Sequence, residues 1–210
     1  MSLATQVSAF NRMRKWNLFL DQVKVDPNTT ILDVGYAEKE HSAIDNFLEK
    51  HYPYPQQITA LGIQKGESFQ KRYPLVKAVS YDGKDFPFPD KTFDVCWSNA
   101  VIEHVGDADL QLHFLKEIVR VSRRAFVTTP NRLFPVEVHT RTPLLHFLPK
   151  PAFDVFLRAT GRSWAAGDYM HLLTEGGLRK LLARSGVSRY QLFRNRLAGF
   201  TLDFVLVMEC

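Results

Sequence analysis

FPFPDKTFDVCWSNAVIEHV, residues Phe86–Val105, sets the fold. Its centre, Phe93 to Ser98, is a short apolar run that reads as a buried strand. Ser98 and Asn99 close the run with small polar groups, and Glu103 and His104 follow on what is expected to be the first turn of a helix. From Asp107 to Ser122, Leu110, Phe114, Leu115, Ile118 and Val119 share one helical stripe. Asp109 early and Arg120 late suit that helix's dipole.

The same rhythm extends outward. Ala125 to Thr129 is a further strand, closed by Pro130-Asn131. Upstream, Thr30 to Val34 reads as the first strand, ended at Gly35, with Ile58 to Ile63 as the second and Leu75 to Ser80 as a weaker third. Between the first two, Ile44, Phe47 and Leu48 share a helical face that Tyr52-Pro53-Tyr54-Pro55 stops. Val7 to Val23 is expected to be an amphipathic helix facing inward with Phe10, Met13, Trp16, Leu20 and Val23. Strands alternating with helices predict an α/β, doubly wound, Rossmann-like sheet of about seven strands with helices on both faces. Tyr190–Asn195 and Leu202–Met208, around Ala198-Gly199, predict a closing pair that makes one C-terminal strand antiparallel. Thr174 caps a helix with Leu178, Leu181 and Leu182 inward. One domain is expected over residues 1–210: 1–28 form an N-terminal helix and lead-in, and the proline-punctuated stretch 133–169 forms an inserted, lid-like segment.

Composition excludes several classes. With 45% hydrophobic and 23% charged residues the chain is an ordinary globular protein, and no apolar run reaches the ~20 residues of a spanning helix. No signal-peptide core precedes the first charges, so the expected location is cytoplasmic. Cys96 and Cys210 are the only cysteines, which removes a disulfide framework and a cysteine metal site. No metal is expected, because Glu137, His139 and His146 fit no familiar ligand spacing. The net charge of +5 is spread along the chain, arguing against nucleic acid as partner. The densest basic set, Arg120, Arg123, Arg124, Arg132 and Arg141, is the basis of an alternative, an RNA-directed enzyme.

In an open parallel sheet, ligands bind beyond the carboxyl ends of the strands. Those ends carry Asp33-Val34-Gly35, Gly62-Ile63-Gln64, Asp82-Gly83 and Ser98-Asn99-Ala100. From about Thr30 to Pro130 the chain resembles the class I S-adenosylmethionine-dependent methyltransferases, type 11 subgroup. ILDVGYAEKEHS is similar to that family's glycine-rich loop. YDGKDFPFPDKTFDVCWSNAVIEHV is similar to its acidic residue, turn, fourth strand and Glu-His-Val ending, and FLKEIVRVSRRAFVTTPN to its next helix and strand. The resemblance implies S-adenosylmethionine as cofactor, held by Asp33, Gly35, Tyr36, Ala37, Gly62, Ile63, Asp82, Gly83, Ser98 and Asn99. Asp33 would approach the methionine amino group and Asp82 the adenine amino group, although each also reads as a turn residue.

Two departures accompany the resemblance. Ala37 and Lys39 stand where the loop's later glycines belong, and Gly62 stands where a ribose-binding acid belongs, with Glu38, Gln64 and Glu67 nearby to replace it. They motivate a second alternative, a weakened methyltransferase-like binding or assembly protein. RLFPVEVHTRTPLLHFLP resembles a segment of bacterial members linked to cell-surface glycan genes, which points to a small-molecule, lipid-precursor or glycan-related acceptor. His104 and His139 are the candidate catalytic bases for a hydroxyl acceptor. A nicotinamide dehydrogenase is the least supported alternative, because a G-x-G-x-x-G turn is missing.

Overall fold

A computed structural model describes residues 3–210. Its strands are β1 (Ile31–Val34), β2 (Ile58–Gly62), β3 (Lys77–Ser80), β4 (Phe93–Asn99), β5 (Ser122–Pro130), the short β6 (Val136–Glu137) and β7 (Thr142–Pro143), β8 (Arg189–Leu197) and β9 (Phe200–Glu209). Seven form one sheet in the order β3-β2-β1-β4-β5-β9-β8, and β6-β7 pair separately. β1 to β5 run parallel, and β9 is antiparallel to both β5 and β8. The sheet has the doubly wound architecture that the alternating elements predict.

Alternation along each strand splits the core in two. Ile31, Val95, Trp97, Phe126 and Val205 face α1 (Leu3–Val23), α2 (Phe47–His51) and α3 (Glu67–Arg72), where Trp97 stacks on Phe126 at 5.0 Å and Phe19 meets both rings edge-on. Leu32, Val34, Cys96, Val127 and Leu206 face α4 (Ala108–Val121) and α6 (Glu175–Ser185). Full burial of each large side chain contributes roughly 1.5–3 kcal/mol. The Asp107 carboxylate accepts from the N–H groups of Asp109 and Leu110, and Thr174 Oγ1 accepts from Gly177 N–H, so α4 and α6 start on side-chain caps.

Two expected faces are corrected. In α1, Trp16, Phe19 and Val23 are buried, but Phe10, Met13 and Leu20 are exposed while the polar Asn11 and Lys15 are buried. The N-terminal half of α1 overlies the polar strand ends, not the apolar strand centres, so its inward residues there are polar. In α4 the buried stripe is Leu112, Phe114, Leu115, Ile118 and Val121, and Leu110 is exposed beside Gly106. The helix expected after β1 is short: residues 35–46 are loop, and α2 begins only at Phe47.

Residues 133–169 form an excursion with β6, β7, α5 (Lys150–Ala159) and a small core of Phe153, Leu157 and Ala165. Its ends are tied together, since Arg132 N–H donates to the Leu173 carbonyl at 2.9 Å and Asn131 bridges Leu173.

Candidate active site

The turn after β1 needs a glycine. Gly35 has φ +98°, and a β-carbon there would lie 2.5 Å from Val101 Cγ2. The loop beyond it is closed by Asn46, whose side chain accepts from Ala37 N–H at 2.7 Å and donates to the Ala37 carbonyl at 2.9 Å. Tyr36 leaves the loop sideways. Its ring packs on Phe69 at 4.4 Å and its hydroxyl donates to the Gln64 carbonyl at 2.8 Å.

Beneath this loop lies a cavity of about 110 Å³, lined among others by Arg12, Asp33, Asn46, Glu49 and Asn99. Asp33 points from β1 toward α2, where Glu49 is buried and neither carboxylate oxygen has a hydrogen-bond donor. Burial, then the neighbouring Glu49 charge, pushes the Asp33 carboxyl well above the usual range. Burial likewise raises Glu49. Arg12 enters from α1; its burial lowers its pKa, against the attraction of Asp45, Asp33, Asp203 and Glu103. Asn99 Oδ1 accepts from Thr128 Oγ1 at 2.9 Å, leaving its Nδ2 without an acceptor. Further along, Lys15 pairs with Asp203 at 3.4 Å, and Asn11 and Asn195 donate to the same carboxylate.

Of the residues singled out in the sequence, Asp33, Gly35, Tyr36, Ala37 and Asn99 therefore meet at one cavity. Ser98 is fully buried below, its hydroxyl unpartnered. Gly62, Ile63, Asp82 and Gly83 stand at the neighbouring β2–β3 edge. Ile63 is 73% exposed, a β-carbon on Gly83 would sit 3.6 Å from it, and the Asp82 carboxylate accepts from Lys84 N–H at 3.0 Å. Arg12, Asn46 and Glu49 escaped sequence reading. All three sit in segments whose polar residues look like solvated helix surface, and only the α1 docking and the late start of α2 turn them inward.

A second group lies beyond β4 and β5. A 3-10 turn, Ile102–His104, replaces the expected helical first turn and buries Glu103 completely. Glu103 Oε2 accepts from Thr129 Oγ1 at 3.0 Å. His139, carried on the excursion, brings its ring within 4.9 Å of the His104 ring, so the two candidate bases are neighbours. Burial lowers the His139 pKa, but the hydrogen bond to Glu137 and the charges of Glu137 and Glu103 outweigh it and leave the pKa raised. Burial raises Glu137, yet His139 and Thr140 hold it down at about 2. His146 is directed elsewhere: its Nε2 donates to the Arg132 carbonyl at 3.0 Å. The excursion also covers a cavity of about 340 Å³ lined by Gln111, Arg132, His146, Lys150, Phe153 and Met170.

The arginine set does not form one basic surface. Arg120 is consumed by Glu117, Asp90 and the carbonyls of Phe86 and Phe88, and Arg124 by the carbonyls of Gln22 and Val23 at the end of α1.

The fold is similar to that of solved S-adenosylmethionine-dependent methyltransferases. Residues 32–125 match the family model described as a methyltransferase domain. Probable S-adenosylmethionine-dependent methyltransferases of two Mycobacterium tuberculosis strains are 37% identical over 67 residues, which is 30% of this chain and 23% of each relative. The match thus spans about a quarter of those relatives' length. Among solved structures, an S-adenosylmethionine-dependent methyltransferase from Aquifex aeolicus superposes with TM-score 0.58 at 15% identity, over 92% of this chain and 89% of that one. The DszA carbon methyltransferase gives 0.60 at 16% identity, over 97% and 54%.

The family's cofactor is S-adenosylmethionine, and the residues present fit its amino-acid end. A cation, a pair of neighbouring acids and an unpartnered amide surround the cavity. That volume of about 110 Å³ is below the ~300 Å³ at which small-molecule pockets begin, so it matches one end of such a molecule and not the whole. Among the described residues no helix is long and apolar enough to cross a membrane.

Proposed function

We propose that this chain transfers the methyl group of S-adenosylmethionine to an oxygen or carbon atom of a small acceptor of lipid-precursor or glycan type. The observation that supports it best is Arg12 set with the buried Asp33 and Glu49 around one small cavity at the end of β1. That set is complementary to a zwitterion: the guanidinium to a carboxylate, the acid pair to an ammonium. Glu38 stands beside Gln64, its Oε1 accepting from Ser68 N–H at 2.6 Å and its Oε2 unpartnered, and we assign it to the ribose hydroxyls in place of the acid missing at Gly62. Asp82 is available for the adenine amino group.

Bound there, the cofactor supplies an electrophilic methyl group; the protein supplies alignment and exclusion of water. Glu103, His104 and His139 face the acceptor side, where an acceptor hydroxyl sheds its proton. The 340 Å³ cavity under the excursion is of small-molecule size and suits the rest of the acceptor.

One observation favours a second reading, a non-catalytic binding protein: the Tyr36 ring fills the space over Gly62 where the ribose acid of the family belongs. Calorimetric titration with S-adenosylhomocysteine separates the two. Saturable binding at micromolar concentration, abolished in Glu49→Ala, supports the enzyme; no heat from folded protein at high micromolar ligand leaves the binding protein.

A further inference from the structure

Glu103, His104 and His139 converge on one point. His139 Nε2 lies 3.7 Å and His104 Nε2 4.0 Å from Glu103 Oε1, and the three atoms are all within 4.8 Å of one another. Both imidazoles have their other nitrogen committed: His104 Nδ1 donates to the Tyr169 carbonyl at 2.9 Å, and His139 Nδ1 donates to Glu137 Oε1 at 2.7 Å. A carbonyl only accepts, so the neutral His104 ring carries its lone pair on Nε2, toward Glu103. Glu103 is fully buried, and its Oε1 has no hydrogen-bond partner. A buried carboxylate oxygen without a donor is unfavourable unless a cation answers it.

We propose that these three residues bind one divalent first-row transition-metal ion of the zinc type, through Glu103 Oε1, His104 Nε2 and His139 Nε2, with the remaining position open to a hydroxyl oxygen of the acceptor. Two histidines and one carboxylate with an open position form a catalytic rather than a sealed structural donor set. Ligands about 2.1 Å from a tetrahedral zinc are about 3.4 Å apart, so the two histidine nitrogens at 3.7 and 4.0 Å from Glu103 Oε1, all three atoms within 4.8 Å of one another, draw together when an ion enters. Glu137 and the Tyr169 carbonyl are the outer partners that fix ring orientation, as metal-ligating histidines generally require. Sequence spacing hides the set because two ligands are adjacent on the β4–α4 connection and the third arrives on the excursion.

The ion binding itself does not depend on the methyltransferase reading; only the identity of the open position's occupant rests on it. There the ion weakens the acceptor O–H bond: the proton passes to solvent water and the electron pair stays on oxygen, as nucleophile. The pocket chemistry therefore selects an acceptor with a hydroxyl rather than a bare carbon nucleophile.

The test is metal binding by the whole protein after chelator treatment and dialysis, using Zn²⁺ by calorimetry and Co²⁺ by visible absorption. The expected result is one equivalent bound, with a ligand-field spectrum that disappears in Glu103→Gln, His104→Ala and His139→Ala and affinity reduced ~10–100-fold in Glu137→Gln. His113→Ala, whose ring pairs with Asp85 on the surface, keeps both signals. Circular dichroism on each variant excludes unfolding as the cause. Absence of binding by folded wild-type protein, or binding unchanged in Glu103→Gln and His139→Ala, overturns the site and leaves an ion triad of two carboxylates about an imidazolium. S-adenosylhomocysteine titration of the metal-free protein runs alongside: its loss with metal binding intact sinks the methyltransferase reading alone, and the reverse sinks the metal alone.

Discussion

The Tyr36 ring lies so close over Gly62 that a β-carbon on the glycine would stand 2.7 Å from Tyr36 Cε1. The glycine and the tyrosine are therefore one feature, and an acid at position 62 is sterically incompatible with this loop. Gly62→Ala should destabilise the protein by about 1–3 kcal/mol through overpacking. In a Tyr36→Leu background the same substitution should cost much less. Urea unfolding of the four proteins in the cycle measures the coupling, and additive effects would show that ring and glycine do not interact.

Glu49→Gln should raise stability at neutral pH while weakening S-adenosylhomocysteine binding. A carboxyl whose folded pKa is raised binds extra protons in the folded state, so its contribution is complete below about pH 4 and is lost as pH rises. Glu49 and Asp33 are both raised, burial being the first cause. The stability gain of Glu49→Gln over wild type should thus grow from about pH 4 upward. Thermal unfolding across pH 4–8 checks it; a gain that shrinks with pH contradicts the raised acid pair.

Lys15 and Asp203 are an ion pair buried between α1 and β9. Lys15→Met leaves the carboxylate with only the amides of Asn11 and Asn195 and should cost about 3–5 kcal/mol. Lys15→Met with Asp203→Asn should recover most of that loss in chemical denaturation. A double variant as unstable as the sum of its parts would assign the cost to packing.

Glu38→Gln and Arg12→Met should each weaken S-adenosylhomocysteine binding ~10–100-fold by removing one charged hydrogen bond. Adenosine separates them: its affinity should fall with Glu38→Gln and stay unchanged with Arg12→Met, because it has the ribose and lacks the amino-acid end. Equal losses for adenosine in both variants would contradict the assignment.

The parallel strands were legible because Ile31–Val34, Ile58–Gly62 and Phe93–Asn99 are short apolar runs with polar or glycine ends, a pattern buried parallel strands impose. Positions facing two layers of helix must be apolar whatever the partner. The site was less legible. Asp33, Asn99, Glu103 and His104 sit at strand ends, where a period argument places them, but Arg12, Asn46 and Glu49 gain their roles from how α1 and α2 dock. Periodicity put Phe10, Met13 and Leu20 inward on α1; polar strand ends reward Asn11 and Lys15 instead. His139 was recognised as a candidate base, yet its nearness to Glu103 depends on the path of the excursion across 35 intervening residues of sequence.

The hydrogen-bonded neck at Arg132 and Leu173 separates what the sheet owns from what the excursion owns. Glu103 and His104 stay with the scaffold, whereas His139 and most of the larger cavity travel with the segment between the two tied ends. Replacing that segment as a cassette keeps the register of β5 and β9 while exchanging one histidine and the pocket wall together. One histidine and the pocket wall are therefore separable from the sheet and its β1 loop, by evolution or by design, at a single pair of splice points.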